Sequence, residues 1–222
     1  MTANSNPNRM FLVIGTLIAA VLIGLAVFAV QGKPAAGTAE FDLQGVPFAG
    51  QDSAPVNVVV VEDFKCPVCK SFEETVAPEL KTKYVDTGKV KMYSLLWPFL
   101  AEARSLPTDD SKLAAQASLC VADQGGNDPF NAFKAILFRA QGDENTVWAT
   151  KTRLKELAGN LEDLDQSKYA ECLDSDATAA RVDAMEAQAV KARVTGTPTV
   201  FVNGQKVNAT VADISAAIDA AN

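Results

Sequence analysis

Residues 56–72, "VNVVVVEDFKCPVCKSF", constrain this chain more than any other stretch. The run from Val56 to Val61 is almost wholly β-branched and lacks polar alternation, which predicts a strand buried on both faces of a partly parallel sheet. A helix is expected to start at the cysteines that follow, so Cys66 falls at a helix N-terminus. Unsatisfied N–H groups and the helix dipole favour a thiolate there. A free cysteine titrates at about 8.5, and sites of this kind fall well below that. Lys65 and Lys70 are expected to help, with Glu62 and Asp63 working against them. Cys69, one turn on, is expected to be shielded and to resolve a mixed disulfide. Two other readings of Cys66-Pro67-Val68-Cys69 stand beside this one, a zinc half-site and a structural bridge across a turn. Zinc usually takes a second closely spaced pair, whereas Cys120 and Cys172 are isolated from each other in sequence. No metal site is therefore expected.

The 222 residues contain no histidine. That excludes Ser-His and Cys-His catalysis and every imidazole ligand. A net charge of −7, with no basic stripe, argues against a nucleic-acid partner. The 48% hydrophobic content is inflated by "FLVIGTLIAAVLIGLAVFAV", residues 11–30, which carry no charge. At about 1.5 Å per residue, such a helix spans a hydrocarbon core of about 30 Å. Arg9 precedes it without an acid, while Lys33, Glu40 and Asp42 follow, so residues 1–10 are expected in the cytoplasm and the body outside. A signal peptide cleaved after "VFA" at Ala29 is the alternative, although signal cores usually run about 7–15 apolar residues. Either reading exports the remainder to where disulfides persist.

"QGKPAAGTAE", residues 31–40, reads as a linker, and residues 41–222 as one domain. "FDLQGVPFAGQDSAPV" is expected to give a short strand and a loop. The helix from the cysteines continues through Phe72, Val76 and Leu80 with a kink at Pro78, and "KVKMYSLLW" (89–97) is the next strand. From about 110 to 193 the period becomes helical. Leu113, Ala117, Cys120 and Val121 share one face of the first helix. A second is expected to open with Asp128 as N-cap and Pro129 in the first turn, turning Phe130, Phe133, Ile136 and Leu137 inward. Others are expected over 145–158, from an Asp165 cap with Leu164 and Tyr169 as a hydrophobic staple, and over 176–193. "GTPTVFVNGQKVNAT" then gives two strands about an Asn203-Gly204 turn, and Thr210 with Asp213 caps the last helix. The order is β-α-β, a helical block, then β-β-α. That is an α/β, thioredoxin-like fold with a helical insertion at about 110–193, preceded by a transmembrane anchor or signal segment.

Thr197-Pro198 falls at the start of a strand, after a helix and before a hairpin. In a thioredoxin arrangement this peptide is cis and faces the two sulfurs; an ordinary strand-entry proline is the other reading. Together, "DSAPVNVVVVEDFKCPVCKSF", "CVADQG", "ECLDSD" and "TGTPTVFVNG" span nearly all of residues 45 to 205. In order and spacing the chain resembles the DsbA-like thiol:disulfide oxidoreductases of the bacterial envelope, and among them the membrane-anchored BdbD-like group. The resemblance implies Cys66 as the attacking or attacked cysteine, Cys69 as its partner, and Thr197-Pro198 as a substrate-facing cis-proline loop. It implies a redox-active disulfide in place of a cofactor, with folding exported proteins as exchange partners. Two positions depart from the family. Many relatives carry a histidine where Val68 stands, so this disulfide is expected to be less oxidising. An acidic residue often precedes the first cysteine by six positions, where this chain has Val60.

The expected function is an extracytoplasmic enzyme, anchored in the membrane with its catalytic domain in the periplasm or on the cell surface. An oxidase is favoured because no dimerisation domain of the isomerase kind is apparent, and a monomer is expected. The couple must be reset by a membrane or soluble redox partner. A disulfide reductase or isomerase is the alternative; a non-catalytic anchored chaperone and a metallochaperone stand further off. Cys120 and Cys172, each on the apolar face of its own helix, are expected to form a structural disulfide, with two buried free thiols as the alternative.

Overall fold

The computed structural model describes residues 37–221. The segment 11–30 read as an anchor, the residues 1–10 before it and most of the linker lie outside the described residues. No helix among those described is long and apolar enough to cross a membrane.

Five strands form one sheet in the order β1-β3-β2-β4-β5: β1 Phe48–Ala49, β2 Val56–Glu62, β3 Val90–Leu96, β4 Thr199–Val202 and β5 Gln205–Val207. Only the β2–β3 pair is parallel, in register from Val56↔Val90 to Glu62↔Leu96. Strand β2 has a core on each face, which is why its valines do not alternate with polar residues. Val59 and Val61 pack with Phe64, Leu95, Phe130, Phe133 and Leu137. Val56, Val58 and Val60 pack instead with Phe72, Leu80, Tyr84, Ile214 and Ile218. Fully burying a valine contributes about 1.5–3 kcal/mol, so burying the run is a large favourable term set against the entropy of ordering the chain.

The β2–β3 crossover comprises α1 Pro67–Thr75, α2 Ala77–Leu80 and one π turn, Lys81–Val85. The break falls at Val76, two residues before Pro78, because that proline has no N–H and its ring crowds the carbonyl four residues back. The helical insertion follows β3 as α3 Leu100–Ala103, α4 Asp110–Gly125, α5 Asn127–Ala140, α6 Lys151–Ala158, α7 Gln166–Asp174 and α8 Ala179–Lys191. Helix α9, Val211–Ala221, closes the domain.

Three helix starts differ from expectation. Gly126, at φ 74°, is the N-cap of α5, and Asp128 is not. A Cβ on Gly125 would lie 2.4 Å from the Pro129 ring, so a two-glycine turn closes onto that proline and starts the helix early. Helix α6 begins at Lys151, where the Thr150 hydroxyl accepts from the Arg153 N–H, rather than at Asn145. The Trp148 and Ala149 amides are turned toward the Asp110 carboxylate instead. Helix α8 begins at Ala179, because Asp176 is in the left-handed region at φ 53°. Elsewhere the sequence signals and the structure coincide. Asp165 caps α7 through the Ser167 and Lys168 amides. The Thr210 hydroxyl accepts from the Asp213 N–H and donates to its carboxylate. Asn203 and Gly204 turn the last hairpin with positive φ.

Candidate active site

The end of β2 delivers Cys66 to the N-cap of α1, in an extended conformation at φ −76° and ψ 118°. Its N–H donates to the Asp63 carbonyl, and its carbonyl accepts the first helical bond from the Lys70 N–H. Antiparallel pairing sets Val61 opposite Thr199, so the chain entering β4 arrives beside the cysteines. The Thr197-Pro198 peptide at that entry is cis. The Cys66 sulfur lies 3.4 Å from the Thr197 carbonyl oxygen. Cys66, Cys69, Thr197 and Pro198 are thereby gathered at one end of the sheet. Both cysteines are free thiols, Cys66 at 5% exposure and Cys69 at 1%. Between them Val68 is 61% exposed, beside an exposed Pro67.

Their acidities are driven apart. A hydrogen bond from the Cys69 thiol pulls the Cys66 pKa down to about 6 against the opposing effect of burial. The Thr197 side chain and the backbone amides of Cys69 and Val68 assist it. The Thr197 hydroxyl is buried without a hydrogen-bond partner. Burial, the bond given to Cys66 and the charge on Cys66 push Cys69 well above its ordinary value. The arrangement can hold a thiolate at Cys66 and a protonated thiol at Cys69, as a dithiol nucleophile requires.

Lys65 does not support the Cys66 thiolate as its sequence position suggests. Its ammonium is buried in an ion pair with Asp110 at 2.9 Å and also donates to the Thr146 carbonyl. The Asp63 carboxylate accepts from the Lys65 and Leu100 amides, and burial raises its pKa to about 6. A second buried cluster lies beside Cys69. Lys134 pairs with Glu62 at 2.9 Å and Glu73 at 3.2 Å, and donates to the Ser94 hydroxyl at 3.0 Å. Burial raises the Glu62 pKa despite Lys134. Burial opposes the Lys134 charge too, but the two carboxylates overcome it and hold the ammonium above its ordinary range.

Lys134, Glu73, Ser94, Asp110 and Gln141 are absent from a motif-based reading. Only Lys134 leaves a trace in sequence, as a charge on the apolar stripe Phe130, Phe133, Leu137 of α5. Val60 is buried in the apolar core and has no polar role. Cys120 and Cys172 lie apart from this site, bonded to each other between α4 and α7. Among the described residues, no group of three or more cysteine, aspartate or glutamate side chains could hold a metal ion.

A thioredoxin family model matches residues 43–220. The probable disulfide bond formation protein D of Bacillus anthracis is 31% identical over 201 residues, covering 90% of this chain and 89% of that protein. The disulfide bond formation protein D of Bacillus subtilis is 31% identical over 179 residues, 81% of this chain and 74% of its own length. The crystal structure of oxidised BdbD from Bacillus subtilis superposes with a TM-score of 0.74 at 30% identity, covering 83% of this chain and 96% of that one. With this fold, and relatives aligned over most of both chains, the chain belongs to the BdbD family of DsbA-like, thioredoxin-fold protein thiol:disulfide oxidoreductases.

Proposed function

We propose that the Cys66–Cys69 couple donates disulfides to exported proteins as they fold, with residues 11–30 anchoring the domain outside the cytoplasm. A client thiolate attacks the Cys66 sulfur of the oxidised couple. The Cys66–Cys69 bond breaks, and Cys69 leaves as a thiolate that takes up a proton. A second client thiolate then attacks the client sulfur of the mixed disulfide and releases Cys66 as a thiolate. The client loses two electrons, this chain gains them, and a membrane or soluble oxidant resets the couple. Thr197-Pro198 is the backbone edge on which the client segment rests, with no N–H at the proline to compete for it.

One observation carries this reading: the thiol acidities are split, with Cys66 at about 6 and Cys69 well above its ordinary value. A thiolate stabilised in the reduced form makes the disulfide a better oxidant, and an acidic thiol is the better leaving group from a mixed disulfide. A reductase or isomerase is the second reading, favoured by the buried Glu62 carboxylate close enough to Cys69 to raise its pKa.

The test is the full-length chain, oxidised and mixed with reduced, unfolded ribonuclease. Stoichiometric recovery of ribonuclease disulfides, abolished by Cys66→Ser, is expected. Failure to oxidise the client, alongside efficient reduction of insulin disulfides under dithiothreitol, would replace the oxidase reading with the reductase one.

A further inference from the structure

Cys66 is joined to Pro67, so the peptide between the two has no N–H. Hydrogen bonds can hold its plane only through the Cys66 carbonyl. One lone pair of that oxygen takes the Lys70 N–H at 3.1 Å. The other faces the helical insertion, where the Gln141 side-chain amide donates to it at 3.1 Å. The same Gln141 nitrogen donates to the Phe64 carbonyl at 2.7 Å, so its two hydrogens bridge the carbonyls on either side of Lys65.

Gln141 begins a loop that grips this segment repeatedly. Thr146 offers its carbonyl to the Lys65 ammonium, and the Trp148 and Ala149 amides bind the Asp110 carboxylate that pairs with Lys65. The loop is tightly folded, for a Cβ on Gly142 would lie 2.8 Å from the Trp148 Cβ. Lys65 and Asp110 bind at the next side chain along, and only Gln141 reaches the Cys66 peptide itself among the side-chain bonds described.

We infer that Gln141 is a positioning residue of the exchange reaction, holding the Cys66–Pro67 peptide plane and with it the first turn of α1, whose N-cap is Cys66. That plane sets ψ of Cys66, and ψ sets where the first turn of α1 points its free N–H groups. The Val68 and Cys69 amides support that sulfur beside the Cys69 thiol and the Thr197 side chain, so a small rotation of the turn weakens two of these supports together. Gln141, itself uncharged, thereby tunes the couple by way of the main chain. This inference rests on Cys66 being the attacked cysteine.

The test uses reduced, full-length Gln141→Met, which keeps side-chain length and removes the donor. Thiolate absorbance is followed against pH, and the couple is equilibrated with glutathione at pH 7. The thiolate midpoint is expected to rise by about one pH unit, which lowers the thiolate fraction at pH 7 from about 90% to about 50%. The couple should then shift about fivefold toward its disulfide form, because the reduced state has lost thiolate stabilisation. Gln141→Asn, one methylene short, should show the same direction and guards against a Met variant that folds poorly. An unchanged midpoint and glutathione equilibrium, whether or not the melting temperature falls, would overturn the inference. Ribonuclease oxidation by the unaltered chain is measured in parallel. Its absence would count against the oxidase reading and leave the midpoint comparison to decide on Gln141.

Discussion

Glu62 and Lys134 form an ion pair of 2.9 Å in which neither side chain is more than 5% exposed. A pair so removed from water persists only when further partners share the charge. Here the Glu73 carboxylate and the Ser94 hydroxyl do so from the Lys134 side. One cation thus serves two anions beside Cys69, and the excess negative charge joins burial in opposing a Cys69 thiolate.

Removing the cation should therefore be costly. Lys134→Met leaves Glu62 buried with its charge uncompensated, and a loss of about 3–5 kcal/mol in denaturant unfolding is expected. Glu62→Gln combined with Lys134→Met should recover much of it, since the fully buried charge is then gone and the Glu73 carboxylate that remains is partly exposed. A double variant as unstable as the single one would show that Lys134 acts through packing alone.

The split between the thiols sets a pH dependence. Cys66 is an acid whose folded pKa, about 6, lies below its ordinary value of 9.0. Its thiolate stabilises the reduced form in full only above the unfolded pKa, and this contribution fades as pH falls through about 6. Alkylation of the reduced chain by limiting iodoacetamide should therefore rise with a midpoint near pH 6 and label Cys66 first. Labelling at Cys69 first, or a midpoint above 8, would contradict the assignment of roles.

Most of the fold and the whole dithiol motif are legible in the sequence because each rests on local chemistry. Unbroken β-branched burial marks β2, Asn203-Gly204 marks the hairpin, and Asp165 marks a helix start. What escapes is whatever depends on side chains meeting across the insertion. Lys65 stands next to Cys66 in sequence, and adjacency suggests that its charge serves the thiolate. A strand-end side chain can turn to either side, however, and Asp110, 45 residues on, decides which. Residues 145–150 carry no breaker strong enough to forbid a helix, and their amides leave it for the same carboxylate. Gln141 gives no signal at all, since a half-buried glutamine at a helix end looks like solvated surface.

The disulfide between Cys120 and Cys172 spans a separation of 52 residues. Cross-linking a loop of that size removes denatured-state entropy worth about 4 kcal/mol in the chain-entropy model, often less in practice. Cys120→Ala with Cys172→Ala should lower the melting temperature while leaving the glutathione equilibrium of the Cys66–Cys69 couple unchanged. The bond joins α4 to α7, and no residue of the Cys66 site takes part in it. A shifted equilibrium in the folded double variant would tie this bond to the redox couple.

The proton on Cys69 stands in the way of one direction of exchange. To attack a mixed disulfide on Cys66, that thiol must first be deprotonated where burial holds its pKa high. A nearby carboxylate can accept the proton, directly or through a water. Val60 stands where the family resemblance predicts an acid; it packs with Phe72 and Ile214 and pairs across the sheet with Ser94. A glutamate placed there would add a buried carboxylate to the two that Lys134 already serves, so Val60→Glu should destabilise the sheet by several kcal/mol. Side-chain alternation puts Glu62 on the same face, about 7 Å further along the strand toward the cysteines. Its interaction with Cys69 makes it the acceptor expected here. Reduction of a disulfide substrate needs this deprotonation, whereas in oxidation Cys69 departs already as a thiolate. Glu62→Gln should therefore slow insulin reduction at pH 7 by about tenfold or more, while ribonuclease oxidation changes far less. The glutamine can still accept a hydrogen bond from Lys134, so the folded state should survive for the comparison. Equal losses in both directions, in a variant shown to be folded, would mean that Glu62 supports the site without taking the proton.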